Sequence, residues 1–493
     1  MVLSPDAFQH YVEAFNRHDA EKVVNHIDNQ HAWPWMRENI PWFECPDKEI
    51  EEIYYFRWWT YRKHIKKTPD GFVITEFLPP VEWAGTYNTI NCAAGHHFYE
   101  GRWLANSAYL QDYARFWFRK SGRPRDYSFW AADALWAFYL VRHDRDFLLD
   151  MLPDLLKNYQ AWEQSNRGGS GLFWQIDGKD GMEVSIGGHG YRATINSYLY
   201  GDAVAISRIA ELAGDRALAD EYRSKADHIK QLVQTRLWDD EAAFFKVLQM
   251  DENREEQQLA DARELHGYVP WYFNLPDPGL EEAWKQLLDP HGFYAPYGPT
   301  TAERRHPRFM FEYDHETPWN GPSWPYATTQ TLVALANLLN NYDQSCIGNK
   351  DYFDLLKIYT KSQHMTLPDG TVIPWIDEDL HPDTGAWLAR EIMLEWKRPD
   401  KQFDRGEHYN HSAYCDLIIT GLIGLRPRPD DAIEVNPLLP EGTWDYFCLD
   451  RLPYHGRTLT ILYDRTGQKY HRGAGLRIFL DREEVERQKG SLP

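Results

Sequence analysis

The sequence predicts a mainly α protein, an (α/α)6 toroid of paired helices with a small C-terminal antiparallel β domain. Three observations point there. Helical periodicity fills about eleven or twelve segments between residues 47 and 425. Short breakers alternate with long aromatic loops between those segments, as the two rims of a closed ring of helix pairs require. No short-period repeat marks a solenoid, and from Ile433 onward the pattern changes to short alternating runs.

In chain order, residues 1–46 read as an arm packed on the barrel, with a short helix over Pro5 to Arg17 and then an aromatic, Pro-containing stretch without a clear period. The barrel, residues 47–425, opens with IEEIYYFRWWTYRKHI, which sets Ile50, Ile53 and Phe56 roughly along one stripe with charges largely opposite. Gly71 to Trp83 turns to β-like residues with Pro79 and Pro80 and reads as a hairpin or extended insertion. Helices are then predicted over Arg102–Lys120, Ser128–His143, Asp146–Gln164, Ala193–Leu212, Ala217–Leu237, Leu280–Leu288, Pro322–Asn340, Tyr352–Ser362, Ala386–Glu395 and His411–Leu425. The runs IEVNPLLP, YFCLDRLPY, RTLTILYD and LRIFLD, with Gly and Pro turns between them, make residues 426–493 the β domain.

Composition narrows the function. A net charge of −21 over 493 residues disfavours nucleic acid and anionic membranes, both of which select clustered Lys and Arg, and favours a neutral substrate. Five cysteines without CxxC spacing encode neither a disulfide framework nor a zinc site. The N-terminus has no apolar leader core, and no uncharged apolar run approaches ~18 residues, so a soluble, cytoplasmic protein is expected. No metal or cofactor is expected, and the oligomeric state stays open. Aromatic residues make up 15% of the chain, with 21 Trp, many of them in loops. Flat rings stack on the apolar faces of sugars while neighbouring carboxylates and amides take the hydroxyls, so the expected partner is a carbohydrate.

The chemistry concentrates in Leu172 to Asp202. There Asp177, Asp180 and Glu183 lie in a Gly-rich loop behind Phe173 and Trp174, just before an amphipathic helix. The alternative reading is a solvated turn between helices. A second acidic motif, GEHYNHSAY at Gly406 to Tyr414, also opens a helix and supplies the partner that sugar chemistry needs. Arg102 in GHHFYEGRW is a candidate hydroxyl donor with Glu100 as its partner. His96 and His97 lack a third metal ligand. Trp130 and Asp133 read equally well as packing and capping groups.

DGMEVS followed by INSYLYGD resembles the acid motif of inverting (α/α)6 glycosidases, the clan of trehalases and glycoside hydrolase family 63. TPWNGPSWP resembles that clan's Trp-Arg-Gly-Pro-x-Trp sugar-binding segment, and GEHYNH its Gly-Glu-x-Tyr-Asn region. The resemblance covers roughly residues 47–425, and the loop style is also similar to family 142 β-L-arabinofuranosidases. It implies Glu183 as general acid, with Asp180 as rival, and Glu407 as general base. Trp174, Asp177, Asp180, Trp319, Asn320, Trp324, His408, Asn410 and Arg102 complete the expected substrate-binding set. Three departures stand out: Glu183 replaces the family's Asp, Lys179 stands at its leading Glu, and Asn320 at its Arg. The expected function is an inverting exo-glycoside hydrolase acting on a short glycoside or chain terminus. The alternatives are an inverting glycoside phosphorylase and a non-catalytic carbohydrate-binding toroid.

Overall fold

The computed structural model describes residues 2–312, 314–396 and 402–488. Fifteen α-helices are described. The arm holds α1 (Gln9–His18) and α2 (Asn29–Asn39), and α3 (Lys48–His64) opens the helical body. It continues through α4 (Ala94–Gly101), α5 (Ala108–Arg119), α6 (Ala131–Arg142), α7 (Arg145–Asn166), α8 (Ala193–Ala213) and α9 (Arg216–Arg236). After the short α10 (Val269–Tyr272) and α11 (Lys285–Leu288) come α12 (Pro325–Asn341), α13 (Asn349–Ser362), α14 (Leu388–Trp396) and α15 (Tyr414–Asp416). A π-helical turn, Leu417–Leu422, extends α15.

Local chemistry sets these boundaries. Asp47, Asp144 and Asp215 cap the first turns of α3, α7 and α9 by accepting backbone N–H bonds. Gly214, at φ 81°, ends α8 in the left-handed conformation that glycine adopts most easily. α3 is buried on nearly every side from Ile50 to His64, so it is a core helix rather than an amphipathic surface one. Arg57, buried midway along it, donates to Gln363 (3.0 Å) and to Ser412 O (2.9 Å), tying α3 to the end of α13 and to the approach to α15.

The helices form two sets. α4 packs on α6, α6 on α8, α8 on α10, α10 on α12, α12 on the π-turn, and α15 back on α4. Outside these, α9 packs on α8, α7 on α5 and α8, and α13 on α3 and α12. The first and last members of the inner set are joined by buried charge. Glu100 of α4 accepts the backbone N–H groups of Cys415 (2.9 Å) and Asp416 (2.8 Å). Asp416 Oδ1 in turn accepts from Arg102 Nη2 (2.7 Å), Arg102 Nε (3.1 Å) and Trp103 Nε1 (2.7 Å). This also explains where the structure departs from the predicted helix Arg102–Lys120. Arg102 and Trp103 turn toward Asp416 and Ala105 N donates to Asn39 O (2.7 Å), which leaves a break before α5.

Two further differences concern the arm and hairpin. α2 occupies the stretch without a clear period, its start capped by Asp28 and Pro34 carried inside it. The hairpin pairs β2 (Ile65–Thr68) with β3 (Gly71–Ile74), so it begins before the predicted Gly71. The C-terminal sheet is antiparallel, in the order β1 (Trp42–Glu44), β4 (Tyr446–Tyr454), β5 (Arg457–Asp464), β6 (Gly475–Leu480), β7 (Glu483–Gln488). The arm thus contributes an edge strand to that sheet. The opposite edge, β7, is exposed and heavily charged, which discourages pairing with a second chain.

The Glu100→Ala variant strips acceptors from two buried N–H groups, so it should lose at least ~2 kcal/mol of unfolding free energy. Urea denaturation followed by tryptophan fluorescence measures this.

Candidate active site

The segments that lead into the inner helices converge on one cavity of about 340 Å3. Cys92 leads into α4, Tyr127 into α6, Gly181 and Glu183 into α8, Trp319 and Trp324 into α12, and Tyr409 and His411 into α15. Glu76, just past β3, and Glu316, Glu378 and Arg405 complete its polar wall. Trp319 and Trp324 stack on each other at 4.5 Å and 17°, presenting a fixed aromatic surface.

The carboxyls of this cavity sit in contrasting environments. Glu183 has no ion pair among the described residues, and burial pushes its carboxyl up to about 7, helped by the charges of Asp177 and Glu378. Its backbone is held from across the cavity, where Trp319 N donates to Glu183 O (2.9 Å). The next residue, β-branched Val184, is forced to φ 63°, the kind of strain that clusters at functional sites. Glu378 is clamped by Arg405, with Nε to Oε1 at 2.7 Å and Nη2 to Oε2 at 3.3 Å. Burial pushes the Glu378 carboxyl up and this guanidinium opposes the shift. Arg405 also holds Glu316 (3.0 Å). Glu76 accepts from the Tyr409 hydroxyl, and burial pushes it to about 8, which keeps it neutral at pH 7.

A pocket of stacked tryptophans and contrasting carboxyls, set on the loops before a series of helices, is the kind of site in which sugars are bound and cleaved. Residues 86–412, about two-thirds of the chain, match the family described as the mannosylglycerate hydrolase MGH1-like glycoside hydrolase domain. The chain belongs to that family. Residues 425–487 match the C-terminal domain of glycosyl hydrolase family 65. A solved chain named "Sialidase" is 46% identical, superposes with a TM-score of 0.92 and aligns over 99% of this chain. The MGH1-like chain spans only 44% of that protein's length. Two distant structures show the fold alone. The GH63 mannosylglycerate hydrolase from Thermus thermophilus in complex with glucose has 12% identity, a TM-score of 0.51, and coverage of 70% of this chain and 100% of that one. The GH78 rhamnosidase of Bacillus sp. GL1 has 11% identity, a TM-score of 0.58, and coverage of 94% and 43%.

Of the residues singled out in sequence, the MGH1-like chain brings Glu183, Trp319 and Trp324 to the cavity wall. The others lie elsewhere. Glu407 points away and binds Lys22 (3.1 Å). His408 faces Asp19 (3.4 Å) in a separate apolar pocket beside Trp59 and Trp375. Asn410 holds the segment that carries Glu76, its N–H donating to Glu76 O (3.0 Å) and its amide to Thr75 O (3.2 Å). Asp180 is fully buried against Arg192 (2.6 Å) and Thr194, shaping the loop rather than facing the cavity. Asp177 turns to His189 (3.2 Å), and Trp174 lies under the Arg254 guanidinium (4.0 Å). Asn320 donates to Arg308 O (3.2 Å) and Phe311 O (2.9 Å), bracing the tryptophan loop from behind. Arg102 belongs to the Asp416 pair, away from this cavity and beside a second one. Asp19, Glu407 and His408 bring possible metal-ligand atoms within 4.8 Å of one another, but Lys63 and Lys22 already neutralise the two carboxylates.

Sequence reading missed Glu76, Glu378, Arg405 and Tyr409, and it read His411 only as a support for Glu407, whereas it lines the cavity. One signal was present. PWIDEDLHP places three acids directly behind Trp375, a composition close to that of the Asp177–Glu183 loop.

Because Arg192 and Asp180 are both fully buried, Asp180→Ala leaves an uncompensated guanidinium. It should destabilise the fold by ~3–5 kcal/mol, as read by urea denaturation.

Proposed function

We propose that the MGH1-like chain is an inverting, exo-acting glycoside hydrolase of an uncharged terminal sugar, built on a closed (α/α)6 toroid. Glu183 is the general acid and Glu378 the general base. The observation that carries this reading is that two carboxyls on one cavity have different partners, Glu378 a guanidinium clamp and Glu183 no ion pair among the described residues. Glu183, in no ion pair among the described residues and pushed up to about 7, keeps a proton to give to the leaving oxygen. Burial pushes the Glu378 carboxyl up as well, but two Arg405 N–H bonds oppose that shift, favour its charged form and orient it to activate water. Glu76 fits the base role less well because burial holds its proton. Glu407, engaged by Lys22 outside the cavity, takes no part in the reaction.

The contact circuit from α4 around to α15 and back supports the toroid. A cavity of about 340 Å3 with stacked tryptophans on its wall suits one or two sugar units better than the interior of a long chain. Among the described lining residues Arg405 is the one permanent cation, and it is committed to Glu316 and Glu378. A substrate carboxylate would meet acidic groups there, which favours an uncharged glycosyl unit.

Three measurements test the reading. Glu183→Gln and Glu378→Gln should each lower kcat by at least ~100-fold with folding retained, whereas Glu407→Gln should stay within a few-fold of wild type. Near-normal turnover in Glu378→Gln would remove it as the base. Glu183 must be protonated to act, so kcat/KM should fall as pH rises through about 7, and this limb should vanish in Glu183→Gln. A screen of aryl α- and β-glycosides of glucose, mannose, galactose and arabinose, with NMR of the first-formed sugar, should show inverted anomeric configuration. Retention would require a covalent intermediate, and turnover only with added phosphate would move the reading to phosphorolysis.

A further inference from the structure

A second polar cavity, of about 390 Å3, lies deeper along the same inner helices. Tyr326, at the start of α12, faces the active-site cavity, whereas Val333 and Asn337 of the same helix face this one, roughly 10–17 Å further along at ~1.5 Å per residue. Trp130 separates the two. Its ring stands 6.5 Å from Tyr326 on the active-site side and 5.6 Å from Tyr272 on the far side.

The charges facing this rear cavity do not balance. Arg102 and Asp416 satisfy each other. Asp133 accepts from the Tyr99 hydroxyl (2.6 Å), and burial pushes it up to about 6. Asp133 still ionises at neutral pH, so three guanidinium groups, Arg102, Arg208 and Arg426, face two carboxylates, Asp133 and Asp416. Arg208 is exposed, lies over Trp136 (5.8 Å) and acts on Asp133 through space, without an ion pair among the described residues. Arg426 donates to the neutral amide of Asn337 (2.8 Å), while Glu434, its strand partner, turns its carboxylate to Arg428 (2.8 Å). Burial holds the Arg426 guanidinium below its ordinary range, with the nearby charges of Glu434 and Asp416 only partly opposing the shift. In a chain of net charge −21, such a local excess of cations is a positioned feature rather than an average one. The remaining wall is aromatic and amide, with Trp136, Tyr272 and Asn274, the lining that takes sugar faces and hydroxyls.

We propose that the rear cavity is a second binding site for a small anionic sugar, its acidic group met by Arg208 and Arg426 and its ring packed on the aromatic wall. The volume lies within the roughly 300–1,000 Å3 of small-molecule sites. Carboxylated and phosphorylated sugars share this chemistry, and titration separates them.

Isothermal titration of the intact chain with D-galacturonate, D-glucose 6-phosphate, D-galactose and inorganic phosphate is the test. At least one of the two anionic sugars should bind saturably and identify the acidic group preferred. Galactose and phosphate should bind at least about tenfold more weakly. Arg208→Gln, an exposed position that leaves the fold intact, and Arg426→Gln should each weaken binding about tenfold or more, while Glu183→Gln and Trp324→Ala in the other cavity should leave it unchanged. The proposal falls if neither anionic sugar binds, if galactose binds the Trp324→Ala variant as tightly, or if the affinity survives Arg208→Gln with Arg426→Gln.

Discussion

The structure depends on the buried contact that joins the first inner helix to the last. Glu100 of α4 takes the two N–H groups that open α15, and Asp416 of α15 takes Arg102 and Trp103 from the residues that follow α4. Segments about 315 residues apart in sequence are thereby fixed side by side. Unpaired, any of these charges would be costly at such depth; paired, they leave few ways to join the two ends. Burial raises the Glu100 carboxyl to about 7, while the Arg57 charge and the two backbone N–H groups oppose the shift.

Joining the ends has a consequence for chemistry. Once the inner helices are neighbours in order, the loops leading into them meet at one end, and groups from residues 76, 183, 319, 378 and 405 share a single cavity. The positive ends of those helices face a cluster of carboxyls, and Arg405 adds its charge to just two of them. Identical functional groups then meet different surroundings, one clamped by a guanidinium and another in no ion pair among the described residues, which is the contrast the proposed acid and base roles rest on. The opposite end receives the later parts of the same helices, and there arginines rather than carboxyls are in excess.

Much of the fold was legible because it follows from periodicity and capping. α6 to α9 start within about three residues of their predicted positions, and Asp144, Asp215 and Gly214 bound three of these helices. The break between α4 and α5 was not legible, since Arg102 and Trp103 leave the helix to reach Asp416, a partner some 313 residues away. The site divides in the same way. Glu183, Trp319 and Trp324 were readable because loop composition and the family resemblance both mark them. Glu407 carries the better local motif, but its direction is decided by Lys22 in the arm. Glu378 has the weaker motif and reaches the cavity because Arg405 holds it there.

The two carboxyls assigned to catalysis are also positioned by different means. Glu378 is held by its side chain: both oxygens are bonded to Arg405, so its orientation is set before substrate arrives. Glu183 is held by its main chain, through the bond from Trp319 to its carbonyl and the strained turn at Val184, while its carboxyl makes no ion pair among the described residues. A base that must aim at one water molecule gains from the first arrangement. An acid that must pass a proton to an oxygen moving away from the sugar gains from the second, because a carboxyl already committed to a cation would hold its charge and lose the proton it has to deliver. The bond from Trp319 also couples Glu183 to the aromatic wall, so the tryptophan loop and the loop of the proposed acid are placed by one hydrogen bond.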